Sequence, residues 1–286
     1  MHEVLNQSNV NSLNTTPLFS IITVCLNCKS DLANTASGLL NQTFTNYEYI
    51  IKDGGSTDGT QSLINKLDAD IAVSAPDNGV FDAMNQALEL SNGEFVFFLN
   101  AGDLLYDNDV LERIAAIIDK SESDIDFFYG DIVKPYARRQ FLVHPEGISE
   151  YYLFARGLCH QSWFLRRKVY IQSHGFSNCF RERNIELGGD YYLLLEIFLN
   201  YKIKAMHIPE FIAVYKGGGI SQDLSMIDKR KKYDRKIKKR QFGPLKYSFY
   251  QSVYIVEQSL KSILYDKYVY LLFRKISELQ RNLRKD

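Results

Sequence analysis

Through the first 120 residues, short continuous apolar runs alternate with segments whose apolar positions recur at helical spacing. Residues 18–26 form a β-rich run ending at Asn27, which predicts a buried strand. Residues 30–41 place Leu32, Ala36, Leu39 and Leu40 on one side of a helix. A second strand is predicted over 47–52, a helix over 60–67 and a short third strand over 70–74. Pro76-Asp77-Asn78-Gly79 marks a turn, 81–90 a helix, and Ser91-Asn92-Gly93 its stop. Residues 95–99 read as a fourth strand and 111–118 as a helix. Four strand–helix alternations predict an α/β fold built on a parallel, doubly wound sheet.

Beyond residue 120 the pattern loosens. It predicts a strand over 127–133, a strand running into a short helix over 164–170, and a strongly apolar helix over 191–199. Two further strands are predicted at 203–208 and 211–215, the second leading into Lys216-Gly217-Gly218-Gly219. From Ser225 the chain reads as helical almost to its end. Residues 1–16 are polar and rich in Asn, Ser and Thr, and predict a disordered leader. The expected organisation is therefore a leader (1–16), an α/β domain (17–221) and a basic helical extension (222–286).

Hydrophobic content of 45% supports a packed core across 286 residues. The net charge of zero conceals an asymmetry: residues 222–286 hold 17 Lys and Arg against 7 Asp and Glu, leaving 17 against 27 for residues 1–221. An acidic body and a basic tail imply different partners. Cysteines 25, 28, 159 and 179 include one CxxC spacing but no matching second pair, so unpaired thiols are expected rather than zinc or redox chemistry. No secretory signal is visible, and no apolar stretch reaches the roughly 18–20 residues needed to span a bilayer.

Two acidic loops carry the candidate chemistry. Asp53-Gly54-Gly55-Ser56-Thr57-Asp58-Gly59-Thr60 follows the second strand, and Asn100-Ala101-Gly102-Asp103 follows the fourth. Open α/β sheets bind ligands outside the carboxyl ends of their strands. Glycine allows close backbone approach, and Asp offers a hard oxygen ligand or a hydroxyl acceptor. Together the loops suggest an enzyme site for a nucleotide and a divalent metal.

The motifs then resemble those of family-two glycosyltransferases of GT-A fold, over residues 18–221. They occur in family order: Phe19-Ser20-Ile21-Ile22-Thr23-Val24, Gln42-Thr43-Phe44-Thr45-Asn46-Tyr47-Glu48, the first acidic loop, and Pro76-Asp77-Asn78-Gly79-Val80-Phe81-Asp82-Ala83-Met84-Asn85. Asn92-Gly93-Glu94-Phe95 then leads to the second loop, followed by Cys159-His160-Gln161-Ser162, Gly189-Asp190-Tyr191 and Gly217-Gly218-Gly219-Ile220-Ser221. The nearest likeness is to bacterial enzymes that build capsule, O-antigen or exopolysaccharide. The resemblance implies a GT-A nucleotide-binding domain with a mostly parallel central sheet. It also implies an inverting transfer of a hexose or N-acetylhexosamine from a nucleotide-sugar, most often UDP-linked, to a saccharide on a polyprenyl diphosphate.

By that resemblance Asp53 contacts the nucleobase, although an Asp before Gly-Gly equally forms a turn through its own backbone. Asp58 reads as a turn or cap residue. Asp77, Asp82 and Asn85 line the donor pocket. Asn100 to Asp103 stands where the family carries a DxD metal motif, and departs from it. Asp103 is left as the ligand for Mn2+ or Mg2+, with Asn100 toward a ribose hydroxyl; helix capping is the alternative for Asp103. Asp190 matches the catalytic base, with Glu186 as fallback, yet Asp is also a favoured helix cap. His160, Gln161 and Ser221 are placed near donor or acceptor, and Gly218 and Gly219 in a loop that closes over phosphate.

The tail pairs a charged segment with an apolar one. Residues 229–240 hold nine Lys and Arg in twelve positions. Phe249, Val253, Val256, Leu260, Ile263, Leu264, Tyr268, Leu271, Leu272 and Ile276 then form a stripe at helical spacing. The expectation is a cytoplasmic enzyme, peripheral on the inner face of the membrane through anionic lipid. A homodimer through these helices is the other reading; nucleic acid is not expected, since no recognition module accompanies the charge. Among rival functions, a sugar nucleotidyltransferase lacks its Gly-rich loop at Asn27-Cys28-Lys29-Ser30. A non-catalytic nucleotide-sugar-binding or scaffold protein with a degenerate metal motif stays open.

Overall fold

The computed structural model describes residues 3–7, 16–134, 140–176, 188–217 and 224–263. Its strands are β1 (Glu3–Gln7), β2 (Phe19–Cys25), β3 (Tyr47–Asp53), β4 (Ile71–Ser74), β5 (Phe95–Phe98), β6 (Leu104–Leu105), β7 (Phe127–Lys134), β8 (Gln140–Leu142), β9 (Trp163–Arg166) and β10 (Ala205–Val214). Its helices are α1 (Lys29–Leu40), α2 (Thr60–Ile64), α3 (Val80–Leu90), α4 (Val110–Lys120), α5 (Glu150–Ala155), α6 (Arg167–Gln172), α7 (Gly189–Leu199) and α8 (Ile227–Ile263).

Every residue of β2 and β5 is buried, as expected of strands covered on both faces. The β-branched and aromatic content that predicts these strands also fills the core. Phe164 packs between Phe97 (ring centroids 4.5 Å apart, stacked) and Phe19 (5.1 Å). The described strands form one sheet in the order β1-β4-β3-β2-β5-β9-β7-β10-β6, with β8 on β7. β4, β3, β2 and β5 are mutually parallel, and β7 and β10 share that direction through antiparallel β9. In-register pairing from Phe19↔Tyr47 to Cys25↔Asp53 aligns the carboxyl ends of β2 and β3. Loops 26–28, 54–59, 75–79 and 99–103 therefore share one edge of the sheet.

Three differences from the sequence reading have physical causes. The strands expected at 203–208 and 211–215 are one strand, β10, whose pairing with β7 breaks between His207 and Phe211; Pro209 lies there and has no N–H for the ladder. Residues 3–7, inside the segment expected to be disordered, pair antiparallel with β4. β4 would otherwise present an unpaired edge, which is a template for an added strand. β6, β8 and α5 were not anticipated, being too short to show a period.

The chain divides into two units, residues 1–237 and 238–286. The division expected at 221/222 falls in a segment outside the described residues, and the buried Ile237 closes the first unit. α8 is interrupted at Gly243 (φ 69°), followed by Pro244, a pairing that ends one helix and starts another. In the second unit Leu245, Phe249, Val253 and Val256 are exposed. Among the described residues no helix is long and apolar enough to cross a membrane. The stripe positions Leu264, Tyr268, Leu271, Leu272 and Ile276 lie outside the described residues.

Candidate functional site

The first acidic loop is built around Asp53, which has no exposed surface. Its Oδ2 accepts from Gly55 N (3.2 Å), Ser56 N (3.0 Å) and Ser74 Oγ (2.6 Å), and its Oδ1 accepts from Ser56 Oγ. Burial pushes the carboxyl pKa up, but the Ser56 and Ser74 hydroxyls and the two amides outweigh it and hold Asp53 below the usual carboxylate value. Asp53 thus builds the loop. Asn27, at φ 50°, ties the β2 loop alongside: its Oδ1 accepts from Thr57 N (2.8 Å) and its N–H donates to Ser56 Oγ (2.7 Å). Asp58 is structural, as expected; it accepts from Thr60 N (3.0 Å) at the start of α2 and from Lys29 N (3.2 Å) at the start of α1. Asp77 sits on the neighbouring loop, 3.2 Å from Lys52 Nζ.

The second loop follows β5, one strand removed from the first, on the order of 10 Å along the sheet edge. Thr35 of α1 holds it: Thr35 Oγ1 donates to Asp103 O (2.8 Å) and accepts from Gly102 N (2.8 Å). Asp103 is buried, with Oδ1 accepting from Lys216 N (3.0 Å) and Oδ2 from Gln161 Nε2 (3.0 Å). Burial raises its pKa, and these donors only partly oppose the rise. It caps no helix.

His160 joins this loop to α7. Asn100 Nδ2 donates to His160 Nε2 (2.8 Å), leaving Nδ1 to carry the proton toward Asp190 Oδ2 at 3.2 Å. Asp190 lies in the first turn of α7, whose N-cap is Gly188, so it is not the cap. Burial raises the Asp190 pKa, but the His160 hydrogen bond and charge prevail and hold it below the usual value.

Asn100, Asp103, His160, Gln161 and Asp190 therefore meet in one hydrogen-bonded group, beside loops carrying Asp53 and Asp77. Asn85 does not join them. Its Oδ1 accepts from Phe176 N (2.8 Å) at the turn after α6, and it lines a separate cavity of about 410 Å³ with Arg167, Tyr170 and His174. Asp82 closes the turn before α3 by accepting from Asn78 N (2.8 Å). Gly218, Gly219, Ser221 and Glu186 lie outside the described residues. The sequence reading passed over Lys52, Thr35 and Lys216. Lys216 was flagged only by its place before three glycines, and nothing in a lone Lys or Thr marks the other two.

A divalent metal is tested here by the donor set. Asn100 Oδ1 is buried with no hydrogen-bond partner among the described residues, and Asp103 supplies a carboxylate nearby in the same loop. Among the described residues no group of three or more His, Cys, Asp or Glu is placed to hold a metal. Mg2+-type sites need only one or two protein oxygens beside substrate phosphates, so these residues fit such an ion.

Comparison with known proteins follows the same lines. A PGL/p-HBAD biosynthesis glycosyltransferase of Mycobacterium bovis is 35% identical over 159 residues, 54% of this chain and 61% of that protein. The chain thus spans about three-fifths of that relative's length. The UDP-Glc:alpha-D-GlcNAc-diphosphoundecaprenol beta-1,3-glucosyltransferase WfaP of Escherichia coli is 37% identical over 89 residues, 30% of this chain and 36% of that one. The solved structure of mannosyltransferase PcManGT from Pyrobaculum calidifontis, in complex with GDP-Man and Mn2+, matches 93% of this chain and 81% of its own with a TM-score of 0.59. At 15% identity this is a likeness of fold, and the fold is the GT-A arrangement. The model of glycosyl transferase family 2 matches residues 20–173, more than half of the chain, and the protein belongs to that family.

Proposed function

We propose that this chain is an inverting, metal-dependent glycosyltransferase of bacterial surface polysaccharide synthesis. It moves a hexose or N-acetylhexosamine from a UDP-linked donor to a saccharide hydroxyl on a polyprenyl diphosphate. The observation that carries the reading is the Asn100–His160–Asp190 line set beside Asp103 at the carboxyl ends of the strands. In this reading Asp190 accepts the proton of the acceptor hydroxyl, and His160 fixes the carboxylate that does so. Asp103 and Asn100 would hold Mn2+ or Mg2+, which neutralises charge on the departing diphosphate. The loop after β3, built by Asp53, shapes the nucleotide end, and Gly218, Gly219 and Ser221, outside the described residues, are assigned to the donor by the resemblance. WfaP, by its name, uses UDP-Glc and a diphosphoundecaprenol-linked acceptor, which supports both substrate classes here.

The basic segment 229–240 and the exposed Leu245, Phe249, Val253 and Val256 support a peripheral seat on an anionic inner leaflet, where lipid-linked acceptors lie. The deciding experiment is transfer or donor hydrolysis by purified protein with Mn2+ across a panel of nucleotide-sugars. Nucleotide-sugar binding without turnover under all conditions would leave the non-catalytic scaffold reading in its place.

A further inference from the structure

Cys25 ends β2, and Cys28 is the N-cap of α1, a helix of 12 residues. Both are free thiols. Leu26 and Asn27 separate them, and Asn27 adopts φ 50°, a left-handed conformation that Asn tolerates. The chain turns back there, and the two thiols lie in hydrogen-bond contact with each other. A CxxC spacing alone does not establish such a contact; the turn at Asn27 supplies it.

The two sulfurs are not equivalent. Cys25 is buried, and its S–H donates to Asp53 Oδ1 (3.7 Å). The contact with Cys28, burial and the Asp53 charge all push its pKa up. Cys28 is only partly buried and stands at the positive end of α1. The Cys25 hydrogen bond lowers its pKa and prevails over burial, Asp31 and Asp58. One thiol is thus reachable and inclined to ionise, while the other is enclosed, protonated and already against it. Thiol–disulfide exchange uses such a pair. Cys159 gives its S–H to Gln161 Oε1 (2.7 Å) instead and serves as an internal control.

We infer that Cys25 and Cys28 are a reversible disulfide site, with Cys28 the attacking sulfur and Cys25 the resolving one. The site needs neither donor nor acceptor and stands apart from the transferase reading. Its oxidant is a disulfide of a small thiol, R–S–S–R. The Cys28 thiolate attacks one sulfur, the S–S bond breaks, and one R–S⁻ leaves. In the mixed disulfide Cys28 no longer carries the charge that keeps Cys25 protonated. Cys25 then gives its proton to Asp53 Oδ1 and on to solvent, and its sulfur attacks Cys28 Sγ. The second R–S⁻ leaves, and the two released thiolates take up the protons that the cysteines lost. Two protein thiols are oxidised and one small disulfide is reduced to two thiols. Oxidation also withdraws the Cys25 S–H from the carboxylate that builds the loop after β3.

The test is incubation of the full native chain with oxidised glutathione, followed by acid quench, alkylation and peptide mass mapping. Lys29 is the first Lys or Arg in the chain, so trypsin releases both cysteines in one peptide. Wild type is expected to yield that peptide unalkylated and lighter by two hydrogens, while Cys159 stays alkylatable. Dithiothreitol is expected to restore two alkylatable thiols. Cys25→Ser is expected to stop at glutathione on Cys28, and Cys28→Ser to form at least about 10-fold less adduct on Cys25. Should neither variant fold, the wild-type peptide decides. Two alkylatable thiols in the oxidised wild-type peptide, or a bond from either cysteine to Cys159 or Cys179, overturns the inference. So does an adduct that forms on Cys25 in preference to Cys28. Each of these results leaves the transferase reading intact.

Discussion

His160 Nδ1 stands 3.2 Å from Asp190 Oδ2, so one imidazole couples the start of α7 to the loop after β5, where Asn100 meets its other nitrogen. The Asn at position 100 is where the motif departs from two carboxylates, and its neighbour gives a reason. A carboxylate there would place a second negative charge on the same ring and favour the imidazolium. With an amide, Asn100 gives the ring a neutral hydrogen-bond donor on one side while Asp190 Oδ2 faces its other nitrogen.

Asp190→Asn tests the role of that carboxylate. Asn retains the size and most of the hydrogen bonding but is no proton acceptor. Turnover is expected to fall roughly 100- to 10,000-fold, with melting temperature and donor affinity close to wild type. Activity that persists would return Asp190 to a structural role.

The pH profile separates His160 from a bystander. Because the folded-state pKa of Asp190 is lowered, its carboxylate survives acidification, and the acid limb of kcat/KM falls below the ordinary Asp value of about 3.9. Removing His160 deletes the influence that opposes burial, so in His160→Ala the limb moves to higher pH. A profile that only drops in height, with the limb in place, would contradict this coupling.

Asp103→Ala is expected to abolish turnover and the Mn2+-dependent part of donor binding. Full wild-type rate in EDTA would remove the metal from the mechanism. Thr35→Val is the companion: it deletes the hydroxyl that holds Gly102 N and Asp103 O, and is expected to raise the Mn2+ requirement while leaving Asp103 itself unchanged.

Much of the fold was legible because apolar runs with β-branched residues had to become strands buried on both faces. The carboxyl-end loops were legible because Gly and Asp clusters stop such runs. Roles within the site were less so. Asp53 accepts from two serines and two amides, and those serines lie three and twenty-one residues away. Asn85 sits in a donor-pocket motif, and its Oδ1 accepts from Phe176 N at the turn after α6, a partner no motif announces. Other motif residues prove architectural: Gln42 clamps α4 by donating to Asp107 O (2.6 Å) and accepting from Leu111 N (3.2 Å). Buried Glu48 accepts from Ser20 Oγ (2.6 Å) and Gly93 N (2.9 Å) at the opposite end of the sheet. A motif marks both kinds of residue alike, and only three-dimensional partners tell them apart.

Gly93→Ala examines that opposite end. A Cβ at position 93 would stand 2.5 Å from Ser20 N and 2.7 Å from Phe19 C, backbone atoms of a central strand that do not move aside. The cost is expected to be about 1–3 kcal/mol of stability, read as a lower denaturation midpoint. Because Gly93 sits at the amino ends of the strands, the folded fraction should keep wild-type KM for the donor. A changed KM at unchanged stability would mean that this end communicates with the site.

The tail calls for a test of its own, since charge and apolar surface fall on consecutive segments. Near an anionic leaflet each Lys or Arg contributes about 1 kcal/mol, and exposed Leu245, Phe249, Val253 and Val256 offer a stripe for shallow insertion. Attraction of this kind weakens with salt, because charges are screened over about 10 Å at 0.1 M ionic strength. Wild type is therefore expected to sediment with phosphatidylserine-containing vesicles at low salt and to leave them as salt rises. Changing Lys231, Lys232, Lys236 and Lys239 to Gln should release it at low salt as well. Donor binding should survive in that variant, because every donor-site residue proposed here precedes residue 222. Wild type that ignores anionic vesicles at low salt would rule out the membrane seat, and a concentration-dependent dimer in solution would then account for the apolar stripe.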